Sequence, residues 1–465
     1  PRAHVSDQAI VQNIFGSLAH SARGICLFTM HDGREPSGEP YDFGGPLDPT
    51  GRPTTRYGLI GGVGTFLTRW GEDLMDMEEI HDPVGFSIYF PSFRYAADDY
   101  FAGSEQVDPH RYLTFLAQGG IHALLLCAGI NPRVVDLSEL DARPLADLQV
   151  LFFSSKGMLD VATYAKLESY VLGGGHLVTT PSPPGRDLHG HPARFGGLFP
   201  LAPVSTTQLD VRRVWWTIVS GVIPYLLFER PWLSDRHRSS GHIIDLFEPL
   251  LDALRTPVEG RPLIVRPVLP GEANGQDGKG EGEAPRRRVR VPDASPPSIR
   301  GDFVLHTFAP PRDPESRIRP GPLWDGDRPA AYEVTHGWGT STVLGTLPAG
   351  RYLTPRYYST PEPDRRALRH FARGLLADRG IEPLVHSDVE AEIVGHAGED
   401  GGMLFLINRL GRQVGDVRFA DPGLFGYTGR LEIAYTHAGS RARAVNARTL
   451  HVELKGGDVL VLRLR

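Results

Sequence analysis

Between residues 84 and 180, four short apolar runs recur with polar or amphipathic stretches between them: "VGFSIYF", "IHALLLCAG", "VLFFSS" and "HLVTT". A run that is apolar at every position has no face to offer to water. It must be covered on both sides, and strands of that kind alternating with helical segments indicate a doubly wound α/β sheet. The segment before the last run, "DVATYAKLESYVLGGG", reads as one of the covering helices. Asp160 is placed to cap it, Tyr164, Leu167 and Val171 share one face, and Gly173 suits the C′ position.

The residues ahead of this region read helix, strand, loop, helix. Val11, Ile14, Phe15 and Leu18 follow helical spacing behind Ser6 as an N-cap. Ile25 to Phe28 read as a short strand that opens into a polar loop carrying His31, Asp32, Arg34, Glu35, Tyr41, Asp42 and Asp48. Ile60, Val63, Leu67, Trp70, Leu74 and Met77 then form a second helical face. One strand between two helices cannot satisfy its own edges, so this slice needs the rest of a sheet.

Downstream, residues 271–300 are rich in glycine, proline and charge and read as a surface insertion. The arginine run Arg286–Arg288 lies beside an acidic stretch and reads as part of that solvated linker. "AAYEVTHGWGTSTVLGT" predicts a pair of strands, and Leu368, Phe371, Ala372 and Leu375 predict a helix ending near Gly380. The remaining runs, "VEAEIVG", "MLFLIN", "LEIAYT", "LHVEL" and "VLVLRL", are strands between glycine turns, the last two joined at Lys455–Asp458. They predict a small antiparallel β-sandwich.

Composition narrows the functional classes. The chain is 40% hydrophobic and 22% charged, with a net charge of −6, a balance that calls for neither nucleic acid nor an anionic membrane. The longest apolar run, Trp215 to Phe228, contains Pro224 and is too short to span a bilayer. Cys26 and Cys127 sit in apolar runs, which predicts buried thiols, no disulfide framework and a cytoplasmic setting.

Few motifs carry chemistry. Gly173–Gly175 follow a helix and precede a strand, the reverse of a phosphate loop, and read as a helix stop. Cys127, read at a strand end, lacks the preceding glycine of a Gly-x-Cys-x-Gly nucleophile elbow, so a structural thiol is expected over a Cys-dependent hydrolase. His189 and His191 have no further ligands nearby in sequence, so no metal site is expected. No cofactor motif is present. The loop at 31–48 is the best candidate: Tyr41 offers a ring for stacking on a sugar, and Asp42 a carboxylate for its hydroxyls.

"LFTMHDG" followed by "PYDFGGPLDPTGRPTTRYGLI" resembles the eighth strand, loop and last helix of the β-galactosidase barrels of glycoside hydrolase family 35. Residues 84–180 resemble the middle domain of family 42 and related β-galactosidases, an amidotransferase-like fold that has lost amidotransferase chemistry and often mediates trimerisation. "VTHGWGTSTVLGT" resembles its closing strands, and the last part of the chain resembles the β-sandwich of the same enzymes. The resemblance implies a C-terminal slice of a (β/α)8 barrel at 1–82, an amidotransferase-like doubly wound domain at 83–355, a connecting helix at 356–385 and a sandwich at 386–465.

Carried over by position, Tyr41 matches the first tyrosine of a galactose-contacting pair and Phe43 replaces the second. Phe28 stands where the strand carries a tyrosine, Asp32 replaces the first of two glycines while Gly33 keeps the second, and Arg34-Glu35 replace Thr-Asn. Tyr41, Phe28, Phe43 and Asp42 are therefore the expected substrate-binding residues. Retaining glycosidases also need two carboxylates about 5–5.5 Å apart. The family places both glutamates after the fourth and seventh barrel strands, ahead of Pro1, and Glu35 and Glu39 follow strand eight instead.

The expectation is a carboxy-terminal, non-catalytic portion of a retaining β-galactosidase-type enzyme, completed by a barrel segment outside this sequence. It would assemble as a homo-oligomer, a trimer being one form. The alternative is a stand-alone assembly or carbohydrate-binding module.

Overall fold

The computed structural model describes residues 7–26, 30–31, 33–34, 40–41, 45–89, 120–138, 145–155, 157–181, 183–206, 262–265, 298–300, 306–309, 317–321, 323–325, 328–345 and 362–465. Ser6, the run Trp215–Phe228 and nearly all of the 271–300 insertion lie outside them.

Helix α1 (Asp7–Ala19) buries Val11, Ile14, Phe15 and Leu18, as its spacing predicts. Helix α2 (Thr55–Met75) buries Val63, Phe66 and Trp70. Phe66 rather than Ile60 lies on that buried face, and Met77 packs from just beyond the helix end. The strand expected at 25–28 is absent from its described half, since Ile25 and Cys26 are irregular and Leu27 and Phe28 lie outside the described residues.

The two helices have a seat within this chain. With Leu126, they bury one apolar cluster against Val394, Met403, Phe405, Ile407, Val459 and Val461 of the C-terminal strands. The segment is sewn on further by strand β1 (Glu78–Glu79), which pairs antiparallel with the edge of that same sheet.

The α/β part is built on β2 (Val84–Ile88), β3 (Arg133–Asp136), β4 (Val150–Ser155), β5 (His176–Pro181), β6 (Ile318–Pro320), β7 (Ala331–His336) and β8 (Gly339–Leu344). The sheet order is β6-β7-β8-β5-β4-β2-β3. Strands β3, β2, β4, β5 and β8 run parallel, while β7 and β6 add an antiparallel edge. Three of the four apolar runs are strands, as expected.

The fourth is a correction. "IHALLLCAG" is helical over 120–127, here α3, and the strand of this unit is the less apolar "RVVD" that follows. Ile121, Leu124, Leu125 and Ala128 make an i, i+3, i+4, i+7 face in the same cluster as Val84 and Val150. Leu126 points to the separate cluster under α1 and α2, so this helix is apolar nearly all round and imitates a buried strand.

Helix α4 (Val161–Leu172) is capped as predicted, the Asp160 carboxylate accepting from Thr163 N at 2.7 Å. Its left-handed residue is Gly174 (φ +107°) rather than Gly173, which keeps a right-handed φ of −77°. Helix α5 (Glu362–Ala377) covers the sheet with Leu368, Ala372, Leu375 and Leu376.

Beyond it, β9 (Val385–Ser387), β10 (Glu392–Gly398), β11 (Gly401–Ile407), β12 (Gln413–Phe419), β13 (Leu431–Thr436), β14 (Arg441–Asn446), β15 (Thr449–Leu454) and β16 (Val459–Leu464) form two antiparallel sheets. Their orders are β9-β12-β15-β14 and β13-β16-β11-β10-β1. Both sheets contribute to a single apolar cluster, including Val417, Leu450 and Val452 from one and Leu404, Leu406 and Leu462 from the other. Strand β11 is thus buried on both faces, Leu404 and Leu406 toward this cluster and Met403 and Phe405 toward the helices.

Candidate functional site

The loop singled out in the sequence begins just after α1 and returns at α2. Its base is framed by ordinary turn chemistry. The exposed Asp48 carboxylate accepts from Thr50 Oγ1 and Thr50 N at 2.7 Å and from Arg52 N at 2.9 Å, and these bonds hold its pKa below the usual range. Thr54 donates through N and Oγ1 to Pro46 O, and Leu47 N donates to Met30 O. Asp7 pins the far side, accepting from Thr55 Oγ1 and Arg56 Nε at 2.7 Å each.

Above this frame, Gly33–Arg34 and Pro40–Tyr41 form a two-residue antiparallel ladder in which Tyr41 lies opposite Gly33. His31 bridges to Leu47 and is exposed. Of the expected substrate-binding residues, Tyr41 thus has a defined backbone position on this ladder. Its side chain, together with Phe28, Asp42 and Phe43, lies outside what the structure describes.

A second arrangement had no signal in the sequence. His20, directly after α1, is the centre of a buried polar junction. Its Nδ1 meets Glu79 Oε1 at 3.0 Å and its Nε2 meets Glu392 Oε1 at 3.1 Å. Asn131 Nδ2 and Ser21 Oγ also donate to the Glu79 carboxylate at 3.0 Å, and Arg409 Nη2 donates to Glu392 Oε2 at 3.1 Å. Both carboxylates are nearly closed off from solvent.

Burial by itself would push the His20 pKa down. The hydrogen bonds and charges of Glu392 and Glu79 outweigh it and hold the pKa up at about 9. Burial likewise pushes Glu79 up, but His20 and Asn131 reverse this and bring it to about 2, while His20 and Arg409 hold Glu392 down. The neighbouring imidazoles go the other way. Burial, with the His20 charge, lowers His122 to about 4, and burial also lowers His81 and His396. His396 Nε2 donates to Ala19 O at 2.7 Å. One imidazolium is therefore clasped between two carboxylates, with neutral histidines around it.

Two buried glutamates held near one another invite a catalytic reading, and the electrostatics argue against it. A general acid needs a raised pKa and an approach for substrate. Glu79 and Glu392 have lowered values and are occupied by His20. Their chemistry is that of a clasp.

The third place to look is the switch point of the parallel sheet, where strand order reverses between β2 and β4 and doubly wound folds bind ligands. Here Tyr89, fully buried, donates to Asp160 Oδ2 at 2.7 Å and accepts from Asp160 N at 3.1 Å. The Asp160 carboxylate also takes Thr163 N and Thr163 Oγ1, so the N-terminus of α4 is already satisfied by a charge of its own chain. Asp160→Ala is expected to cost about 1 kcal/mol through the lost cap, read from the denaturant midpoint. An unchanged midpoint would show the cap to be dispensable.

Cys127 lies at the end of α3, not at a strand end, which removes the geometric basis for a nucleophile elbow. Cys26 is exposed and Cys127 half-buried, correcting the expectation of two buried thiols; neither is in a disulfide. His189 and His191 are arranged by Asp187, which accepts from both backbone amides at 2.9 Å. Among the described residues, no group of histidine, cysteine or acidic side chains is placed to hold a metal ion, and no helix is long and apolar enough to cross a membrane.

A parallel α/β sheet with an antiparallel edge, joined to two antiparallel sheets that share a core, defines a multi-layer α/β-plus-β protein. Residues 103–195 match the family model described as "GLMA-like, second domain". The fold resembles solved β-galactosidases of family GH42. Gan42B from G. stearothermophilus aligns with 99% of this chain at 13% identity and a TM-score of 0.55. The β-galactosidase from Bacillus circulans sp. alkalophilus aligns with the same share at 12% identity and 0.55, and that of Rahnella sp. R3 at 13% and 0.54. This chain spans about half the length of each, 51% of the first and 52% of the others. No curated protein matches the chain significantly by sequence.

Proposed function

We propose that this chain is the carboxy-terminal, non-catalytic portion of a retaining β-galactosidase-type glycoside hydrolase. The observation that carries the reading is the likeness in fold to GH42 β-galactosidases over 99% of the chain. On this reading 1–82 is the last unit of a (β/α)8 barrel, 83–355 an amidotransferase-like domain with an insertion near 271–300, 356–385 a connecting helix and 386–465 a β-sandwich. The 31–48 loop forms one wall of the sugar pocket, with Tyr41, Phe28, Phe43 and Asp42 toward a β-galactoside. The two catalytic glutamates belong to barrel residues outside this sequence, and the middle domain serves homo-oligomer assembly. At the switch point the Tyr89 hydroxyl and the Asp160 carboxylate are bonded to each other and to the start of α4, which supports a domain kept for assembly rather than chemistry.

Incubating the purified 465-residue chain, verified by intact mass, with an aryl β-galactoside tests the central point. No turnover above the uncatalysed rate is expected. Robust hydrolysis would overturn the non-catalytic assignment. The stand-alone module keeps one supporting observation: α1 and α2 bury their apolar faces within this chain.

A further inference from the structure

The β7–β8 hairpin carries Trp338 at its tip, 89% exposed. The backbone that carries this indole is held in place. Gly337 takes a left-handed φ of +63°, and a Cβ there would fall 2.8 Å from Leu172 Cα. A Cβ on Gly339 would fall 2.1 Å from Gly175 O and 2.4 Å from Val171 O, and Trp338 N donates to Leu172 O at 3.3 Å. The tip is thus clamped by backbone contact to the C-terminus of α4, which fixes the point of the surface from which the side chain projects.

Trp338 abuts Gly174, its Cβ 3.8 Å from where a Gly174 Cβ would stand. Gly174 is also part of the wall of a surface groove of about 530 Å³, lined by Gln149, Lys166, Ser169, Tyr170 and His176 among others. Gly175 lets the Tyr170 ring lie flat against the backbone, since a Cβ there would overlap that ring at 2.3 Å. The lining thus includes the Tyr170 ring, the Gln149 amide, the Ser169 hydroxyl, the Lys166 ammonium, which also donates to Leu137 O at 3.2 Å, and the His176 imidazole, whose Nδ1 meets Thr340 Oγ1 at 2.9 Å. The groove opens at a helix C-terminus, whose dipole disfavours anions.

We infer that Trp338 and this groove form a surface binding site for a neutral oligosaccharide, one pyranose ring lying on the indole and its neighbour bonding within the groove. An exposed planar ring suits the apolar face of a pyranose, and mixed donors and acceptors suit its hydroxyls. The site is separate from the 31–48 loop and does not rest on the hydrolase reading. The lining mixes Leu145, Ala146 and Leu148 with the polar side chains, which matches the apolar-and-hydroxyl character of a pyranose surface, and a contact between copies of the chain is left as an outcome of the test.

Calorimetric titration of the full chain with β-1,4-galactotetraose and with cellotetraose tests this. Saturable binding of at least one sugar is expected, weakened about tenfold by Trp338→Ala and less by Gln149→Ala, with unchanged unfolding midpoints. Equal affinity in W338A, or no saturable binding of either sugar by the native chain, would overturn the site. So would a W338A variant that lowers the oligomeric mass while leaving sugar binding intact, which would mark a contact between copies. None of these outcomes bears on whether the chain hydrolyses aryl galactosides.

Discussion

Replacing His20 with alanine is expected to lower the unfolding free energy by about 3–5 kcal/mol near pH 6, because it strands two buried carboxylates without their shared cation. Glu79 would keep Asn131 and Ser21, and Glu392 would keep Arg409, so the loss is set by the missing imidazolium rather than by every bond in the cluster. The pH dependence gives the sharper test. The folded-state pKa of His20 is about 9 against an ordinary 6.5, so its contribution is complete below about 6.5 and is lost as pH rises through 9. Glu79 is lowered to about 2 from 4.5, so its contribution is present above about 4.5 and is lost as pH falls through 2.

Neighbouring groups tilt the background. His122, lowered to about 4, contributes above 6.5 and loses that as pH falls through 4; Asp82, raised by burial to about 6, contributes below 3.8 and loses it as pH rises through 6. Asp82 carries over into the variant, whereas His122 loses the part of its lowering that the His20 charge supplies, an effect confined to pH below about 6.5. The stability difference between native and H20A proteins should therefore be largest between about pH 4.5 and 6.5 and shrink toward pH 9. Denaturant titrations across that range read it directly. A difference that stays constant from pH 6 to 9.5 would show that His20 is not charged in the folded protein.

Phe405→Ala is expected to cost about 3–5 kcal/mol, since the ring is fully buried and its removal leaves a cavity. Its direction on the strand decides what else happens. Phe405 faces the cluster under α1 and α2, whereas Leu406, the next residue, faces the second sheet. F405A should therefore expose α1 and α2 to limited proteolysis at lower denaturant than Leu406→Ala, which is expected to cost about 2–5 kcal/mol while leaving the helices docked. Equal protection of the helices in both variants would mean that their seat on this sheet is not what holds them.

The C-terminal strands were legible because their patterns are strong and local. "MLFLIN" and "VLVLRL" are apolar at consecutive positions, and both strands are covered on two sides. The cap at Asp160 was legible for the same reason, as its partner Thr163 is three residues away. "IHALLLCAG" misled because a helix wedged between two cores needs apolar residues on nearly every side, which removes the periodic gap that separates helix from strand. The 25–28 strand misled in a different way. Its described residues, Ile25 and Cys26, are irregular, and a short apolar run carries β propensity without specifying a pairing partner.

The sequence by itself determined where the buried elements lie: α1, α2, α4, α5, strands β2, β4, β5, β7 and β8 of the α/β sheet and most of the C-terminal strands. Each depends on side chains within a turn or two of one another. Tertiary structure alone decided the sheet order, the seat of α1 and α2 on the far sheet, the bond between Tyr89 and Asp160 and the clasp around His20. The reason is physical. His20 finds its two carboxylates 59 and 372 residues along the chain, and no local pattern records an ion pair whose strength comes from the burial that folding itself creates.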